Sequence, residues 1–447
     1  MTSPASEADV TPGRLAALEI FGAVERGQRL DLAFTASARA LDPRERAWCR
    51  ELAYGAQRLR GRLDFLLDRR VRRGLDSVDA EVLDVLRLGM YQILYMDGVP
   101  EYAAVSQTVD LACLSGGKGA AGFVNAIMRA TVRERPVEEH FPDFRSDPAG
   151  FLSTWGSHPR WIVERWLGRW PAEQVRRLVE ANNEVPPIYL RCLRDTPEEA
   201  AKILVDAGFE AEPAGSGTGC VVLLGGSSPV DAMGVVPSVV QDPAAALVVP
   251  YADPGPDDRV ADLCAAPGGK AMALAARGNV VVAADRSLER LRLVRGNLRR
   301  LAARPRRGSS FRVSLVQADA LAPAVEGVDM VLLDVPCTGT GTFRRNPDAR
   351  WKLTPERLDE LIELQGCILE TCANVVPSGG RVVYSTCSLE PEENEDRTAA
   401  FLERHQEFVL EPSSGVNEVY LDGHGQLYVL PQACGFDGAF AARLQKR

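Results

Sequence analysis

The sequence predicts an α/β protein: a mainly parallel, doubly wound sheet domain at the C-terminal end, preceded by an all-helical domain and a small α/β connecting subdomain. Three observations lead there. From Tyr251 onward, short β-branched runs alternate with helical patterns, the mark of repeated strand–helix–strand units. Residues 12 to about 135 carry apolar residues at helical spacing. The region between mixes both patterns. The divisions are placed at 1–135, 136–250 and 251–447, in keeping with 447 residues and two or three domains.

In the helical part, Pro12-Gly13 opens a segment with Leu15, Leu18 and Phe21 on one side. Val82, Leu86, Met90 and Ile93 follow at spacings of four, four and three, and Val105, Val109 and Ala112 mark another segment. The glycine-rich stretch Ser115–Gly119 is expected to separate helices of a compact bundle. Arginines crowd RLRGR at 58–62 and RRVRR at 69–73, readable as a solvated helix face or as a phosphate-contacting patch. Residues 136–160 are rich in Pro, Asp and Ser and read as a linker. A tryptophan-bearing helix from Trp161, a turn and strand in ANNEVPPIYLRCL and a helix in EEAAKILVDAGFEAEP make the small subdomain.

In the last part, strands are expected at Arg259–Leu263, Val280–Ala284, Phe311–Val316, Val328–Leu333 and Arg381–Thr386. LERLRLVRGNLRRLAAR is amphipathic, with Leu288, Leu291, Leu298 and Leu301 facing inward. Thr354-Pro355-Glu356 starts a long helix that ends near the Pro-Ser-Gly-Gly run at 377–380.

Apolar content of 46% and charge of 25% describe an ordinary soluble protein. No apolar run approaches the ~20 residues that span a bilayer, and the start has no signal pattern, so a cytoplasmic monomer without membrane contact is expected. Ten cysteines without a CxxC pair and only four histidines argue for free thiols and against a metal site. A net charge of −9 argues against non-specific coating of nucleic acid but leaves a local basic face open.

Ligands of doubly wound sheets bind beyond the carboxyl ends of the strands. Those ends read Cys264, Asp285, Asp319, Asp334 and Cys387. In DLCAAPGGK, Cys264, Ala265, Ala266, Pro267, Gly268, Gly269 and Lys270 form a small-residue turn into a helix, where backbone can approach a ligand closely. The phosphate-loop and dinucleotide fingerprints are both absent. Asp285, next to Arg286, suits a ribose diol, and Asp319 an adenine amino group; each alone is as readily a helix cap. Together they suit an adenosine-bearing cofactor without phosphate, and S-adenosylmethionine fits that description. In DVPCTGTGTFRRNPDARW, a carboxylate, a thiol and the cations Arg344, Arg345, Arg350 and Lys352 suit an anionic substrate carrying a planar base.

These motifs, with YSTCSLEPEEN, resemble the RNA cytosine-C5 methyltransferases of the Sun/Fmu family. Residues 13–130 resemble the antitermination-factor-like (NusB-like) RNA-binding domain in RLAALEIFGAVERG, ELAYGAQRLRGRLDFLL, RLGMYQILYMDGVPEYAAVSQTVDLA and GAAGFVNAIMR. The combination is similar to small-subunit rRNA methyltransferases of the RsmB type. SHPRWIVERW and QDPAAALVV resemble the family's connecting segments. The resemblance implies a Rossmann-like S-adenosylmethionine-dependent methyltransferase domain. It implies that Cys264–Lys270, Asp285 and Asp319 hold the cofactor, that Cys387 is the nucleophile, that Cys337 is the second thiol, and that Asp334 is the acid beside the base and the cofactor. DVPCT stands where the family more often has DAPCS.

The chemistry explains the residue types. C5 of cytosine is a poor nucleophile, and thiolate addition to C6 makes it electron-rich enough to take a methyl group. The attacking thiolate calls for nearby positive charge or helix-terminal N–H groups; Lys270 and a helix near Pro391 are candidates. Asp334 is suited to hydrogen-bond N3 and the exocyclic amine. The target base must be unstacked, so a single-stranded or locally opened segment of 16S rRNA is the expected partner. The arginine-rich stretch 286–307 and the loop 344–352 are candidate backbone contacts. Other readings are the same chemistry on tRNA or another RNA, attack by Cys337 as in the DNA cytosine enzymes, and a non-catalytic RNA-binding assembly factor.

Overall fold

The computed structural model describes residues 10–303 and 311–447, so the end of the arginine-rich stretch, 304–307, lies outside the described residues. The chain forms two compact units: Met1–Glu184 with Phe343–Lys352, and Val185–Thr342 with Leu353–Arg447.

The first unit is helical. Its helices include Pro12–Glu25, Leu30–Ser37, Pro43–Arg58, Arg60–Asp68, Ala80–Tyr95 and Glu101–Arg133, and they enclose one apolar core. The first helix buries Ala17, Ile20, Phe21 and Val24, while Leu15 and Leu18 are only partly covered. The inner stripe thus lies one step round from the expected one. Val82, Leu86, Met90 and Ile93 are all buried, as their spacing requires. Glu101–Arg133 consists of two helices that meet at a kink, at Gly117 (φ +70°), so the glycine-rich stretch separates them as expected. A residue without Cβ takes up the positive φ at the break.

The expected linker 136–160 is in large part packed structure. Phe141 stacks on Phe65 (4.8 Å between centroids), and helix Pro148–Thr154 buries Phe151 and Leu152. The Asp147 side chain caps that helix by accepting from the Gly150 N–H. RLRGR is likewise consumed internally. Arg58 is buried, Arg60 pairs with Glu25 at 2.6 Å, and Arg62 lies over the Trp155 ring at 3.7 Å. This corrects both sequence readings of that run.

Arg350, expected near an anionic substrate, is fully buried in this unit. Its guanidinium donates to the Asn183 Oδ1 (2.8 Å) and to the carbonyls of Asn182 (3.0 Å), Phe343 (3.1 Å) and Ser157 (3.1 Å). Burial and neighbouring Arg58 push its pKa well down from the usual value. A buried cation held by dipoles alone leaves several carbonyls unpaired when removed. Arg350→Ala should therefore lower stability by about 3 kcal/mol or more, read by urea unfolding. Arg344 is also buried, and its guanidinium lies 3.5 Å from Glu184. Lys352 donates to Asp348 at 2.9 Å.

The second unit holds two sheets. The smaller is antiparallel, with β1 (Ile188–Cys192), β2 (Ala211–Ala214), β3 (Cys220–Leu223) and β4 (Ser238–Val240) in the order β2-β3-β1-β4. The larger contains β5 (Arg259–Asp262), β6 (Val280–Asp285), β7 (Val313–Gln317), β8 (Met330–Asp334), β9 (Arg381–Thr386), β10 (Phe408–Leu410), β11 (Leu427–Val429) and β12 (Ala439–Lys446). Its order is β10-β12-β9-β8-β5-β6-β7, with β11 on β12. The run β9-β8-β5-β6-β7 is parallel, and β12 joins it antiparallel.

Alternation along the strands feeds two cores. Met330 and Leu332 face one with helices Pro243–Ala252 and Gly269–Ala276. Val331 and Leu333 face the other with helix Pro355–Ala373. That is the reason the strands read as continuous apolar runs. In helix Leu288–Ala302, Leu288 is exposed and Val294 takes its place, giving a stripe of Leu291, Val294, Leu298 and Leu301. Leu288 occupies the first helical position, ahead of the turn that meets the sheet. Among the described residues, no helix is long and apolar enough to cross a membrane.

Candidate active site

The chain runs from β5 outward through β6 and β7, then returns to place β8 on the other side of β5. The carboxyl ends of β5 and β8 therefore flank a topological switch point, where open α/β sheets form their crevice. A cavity of about 290 Å³ lies there. It is lined by Cys264, Ala265, Ala266, Pro267, Gly269, Lys270 and Asp334, all expected from the sequence. Asp262, Gln241 and Asn297 also line it.

The turn after β5 depends on Gly268. Its φ is +102°, and a Cβ there would stand 2.8 Å from Val294 Cγ1. Only glycine satisfies both constraints. Gly268 N–H donates to the Ala265 carbonyl, and the next residue begins helix Gly269–Ala276, with its free N–H groups at the cavity end.

Three charged groups meet at the strand ends. Lys270 Nζ donates to Asp334 Oδ2 at 2.7 Å, and Ser385 Oγ donates to Asp334 Oδ1 at 3.1 Å. Asp262 is 1% exposed, and neither of its carboxylate oxygens has a hydrogen-bond partner of good geometry. Burial, then the Asp334 charge, raises its pKa to about 7, opposed by Lys270 and the Cys264 amide. Sequence reading quoted Asp262 inside DLCAAPGGK without giving it a role. Its signal was there: an acid ending a strand that is apolar on both faces.

The other adenosine-site candidates stand differently. Asp285 is buried and accepts from the Ala266 and Ser287 N–H groups (3.3 and 2.9 Å), with Arg290 at 3.4 Å. Its carboxylate braces the cofactor loop and is not part of the cavity lining. Arg286 is exposed. Asp319 is exposed and accepts from Leu321 N–H at 2.9 Å, closing a turn with no helix behind it, so it does not act as the helix cap that was the alternative.

The two thiols come together. Cys337 follows β8 and Cys387 follows β9, adjacent parallel strands in which Asp334 is the cross-strand partner of Ser385. Their sulfurs are 3.4 Å apart, and the Cys387 N–H donates to Cys337 Sγ at 3.4 Å. The hydrogen bond with Cys387, then burial, then the charges of Cys387 and Glu393 push Cys337 well above the usual thiol range. Burial alone suffices to push Cys372 up to about 12, and it leads the upward shift of Cys264. Gly341 lets the loops touch: its N–H donates to the Cys387 carbonyl at 3.0 Å, and a Cβ there would fall 2.6 Å from Gly438 Cα. The helix expected near Pro391 is a short 3-10 turn, Pro391–Glu393, and the α-helix starts at Glu395.

A larger cavity of about 710 Å³ lies in the helical unit, remote in sequence from this chemistry. Arg70, Arg72 and Arg73 of the RRVRR run line it above Val71, Val82 and Ile127. Arg72 and Arg73 are exposed, whereas Arg70 donates to the Leu66 carbonyl at 3.0 Å.

Residues 250–445 match the family described as 16S rRNA methyltransferase RsmB/F. Residues 11–133 match the NusB family, and 158–231 match the ferredoxin-like domain of RsmF/B-like methyltransferases. A probable ribosomal RNA small subunit methyltransferase B from Synechocystis is 33% identical over 424 residues, 91% of this chain and 92% of that one. This chain belongs to the RsmB/F family of 16S rRNA methyltransferases. The ribosomal RNA small subunit methyltransferase B of Serratia proteamaculans is 30% identical, over 97% of this chain and 98% of its own. A methyltransferase homolog from Pyrococcus horikoshii has a similar fold, with a TM-score of 0.54 and 28% identity, covering 66% of this chain and 97% of its own.

The family's cofactor is S-adenosylmethionine. The residues present fit it. The orphaned carboxylate of Asp262 at an apolar cavity suits a group bearing an ammonium and a sulfonium, and the glycine turn leaves room for close approach.

Proposed function

We propose that this RsmB/F-family enzyme methylates C5 of a cytosine in 16S rRNA through a covalent bond between Cys387 and C6 of the base. The observation that carries the reading is the contact of two thiols in the loops that follow β8 and β9, strands whose ends pair Asp334 with Ser385, Asp334 lining the switch-point cavity with Lys270. S-adenosylmethionine, held by Cys264–Lys270 and Asp262, supplies the electrophilic methyl group when bound. Asp285 supports that loop from behind, and Asp319 and Arg286 are left with the more exposed adenosine end. Every proton step belongs to the chain's own residues. Cys387 adds to C6 of an unstacked cytosine. Asp334, fixed by Lys270 and Ser385, faces N3 and the exocyclic amine and balances the charge that develops on the ring. Cys337 keeps its proton at neutral pH, which makes it a donor toward Cys387 and not the attacker. After methyl transfer Cys337 gives its proton to solvent and, as thiolate, takes the C5 proton; the C5–H electron pair re-forms the ring double bond and the C6–S bond breaks, returning Cys387 as a thiolate.

The helical domain 1–135 is the proposed RNA-binding part, with Arg72 and Arg73 as phosphate contacts, joined through 136–250 to the catalytic domain 251–447. The test is incubation with methyl-labelled S-adenosylmethionine and deproteinised small-subunit RNA, followed by nucleoside analysis. Label should appear in 5-methylcytidine. Label in another nucleoside, or none while the cofactor binds, sinks the proposal.

A further inference from the structure

Below the thiol pair lies a buried carboxylate that the chemistry above does not use. Glu393 is fully buried in the turn after β9. It accepts from the Thr338 N–H at 2.9 Å, from the Thr338 hydroxyl and from Gln365 Nε2 at 2.8 Å. Gln365 also donates to the Pro336 carbonyl at 2.9 Å, so the carboxylate clamps both sides of Cys337. Ser388, next to Cys387, shares a hydroxyl bond with Thr338 at 3.0 Å, which ties in the second loop.

Among the described residues, no Lys, Arg or His lies within ion-pair distance of Glu393. A carboxylate buried on neutral donors alone is costly to keep, and hydrophobic packing would hold two loops more cheaply. Its charge is therefore the part in need of explanation. The ionisable groups around Cys337 are Cys387 from the loop after β9, Glu393 from the turn beyond it and Tyr384 from β9 itself, and Arg397 of the helix Glu395–Arg404 acts on Tyr384.

We infer that Glu393 is the positioning residue of the thiol pair: its buried side chain holds the Pro336-Cys337 turn against Cys387, so that Cys387 alone attacks. The inference rests on the division of roles proposed above, but its test does not use RNA. No bond is made or broken at Glu393, which touches neither substrate nor cofactor.

The experiment is iodoacetamide labelling of the reduced full-length protein from pH 6 to 10, with each thiol followed by mass spectrometry. In the wild type, the labelling midpoint of Cys337 should lie above that of an ordinary exposed thiol. Glu393→Gln keeps the shape and removes the charge, so Cys337 labelling at pH 8 should rise severalfold. Glu393→Asp, which keeps the charge, should restore the wild-type midpoint in large part. Thermal melting and cofactor binding report whether each variant is folded. A folded Glu393→Gln protein with an unchanged Cys337 midpoint overturns the inference. So does a wild-type Cys337 midpoint no higher than that of an ordinary exposed thiol, a comparison that needs no variant to fold. If labelling behaves as expected and methyl transfer to cytosine fails, the reading of the reaction falls and the role of Glu393 stands.

Discussion

Cys387→Ser should lower methyl incorporation into RNA by about a thousandfold or more, with cofactor binding unchanged. Serine fits the space, and its hydroxyl is hardly ionised at neutral pH. Cys337→Ser should behave differently. The attack by Cys387 remains, but the step that frees the enzyme loses its proton carrier. A covalent RNA–protein species should build up, visible as a slow band on a denaturing gel and absent from the double variant. The 3.4 Å contact between the sulfurs makes the comparison pointed, because proximity cannot tell which thiol attacks. Adduct accumulation in Cys387→Ser in place of Cys337→Ser would exchange the roles.

The second large effect concerns Asp262. A folded carboxyl with a pKa of about 7 holds its proton where the unfolded one, near 3.8, has lost it. Folding therefore takes up a proton between about pH 4 and pH 7, and stability falls as pH rises across that window, levelling above it. The shift corresponds to an upper bound of about 4 kcal/mol. Asp262→Asn removes the burdened charge, so the protein without cofactor should melt at a higher temperature at pH 8. Little difference is expected at pH 4. The cost is functional. The wild type should bind S-adenosylmethionine more tightly as pH rises through 7, because the cationic cofactor selects the ionised carboxyl. The asparagine variant should lose that dependence and bind more weakly, as read by calorimetry. Equal affinity for both proteins at pH 8 would remove Asp262 from the site.

What could be read from the chain depended on range. Strand ends are local in sequence, and a parallel sheet brings them to one edge, so Asp334, Cys337, Cys387 and the Cys264–Lys270 turn were all named before the fold was known. The helical stripes were legible to within one position, as Val294 replacing Leu288 shows. Long-range polar contacts were not. Arg350 looks like any cation in a loop until three acceptors from distant segments, on Ser157, Asn182 and Asn183, surround it. Glu393 sits in an acidic run, LEPEEN, where charge suggests solvent; only the depth of the turn separates it from its neighbours. Asp262 was hidden by the glycine turn beside it, whose motif drew attention to backbone. The two-stranded antiparallel edge, β10 and β12, follows a stretch with weak alternation and was not expected.

The ten residues Phe343–Lys352 complete the helical unit although they are encoded between two elements of the sheet unit. During synthesis, the first 184 residues leave the ribosome long before their last structural piece exists. Arg350 then fills a cradle of carbonyls that until that moment only water could satisfy. The helical part should thus reach full stability late, after residue 352 has emerged, and a gene cut after residue 184 should yield a fragment that lacks its own keystone.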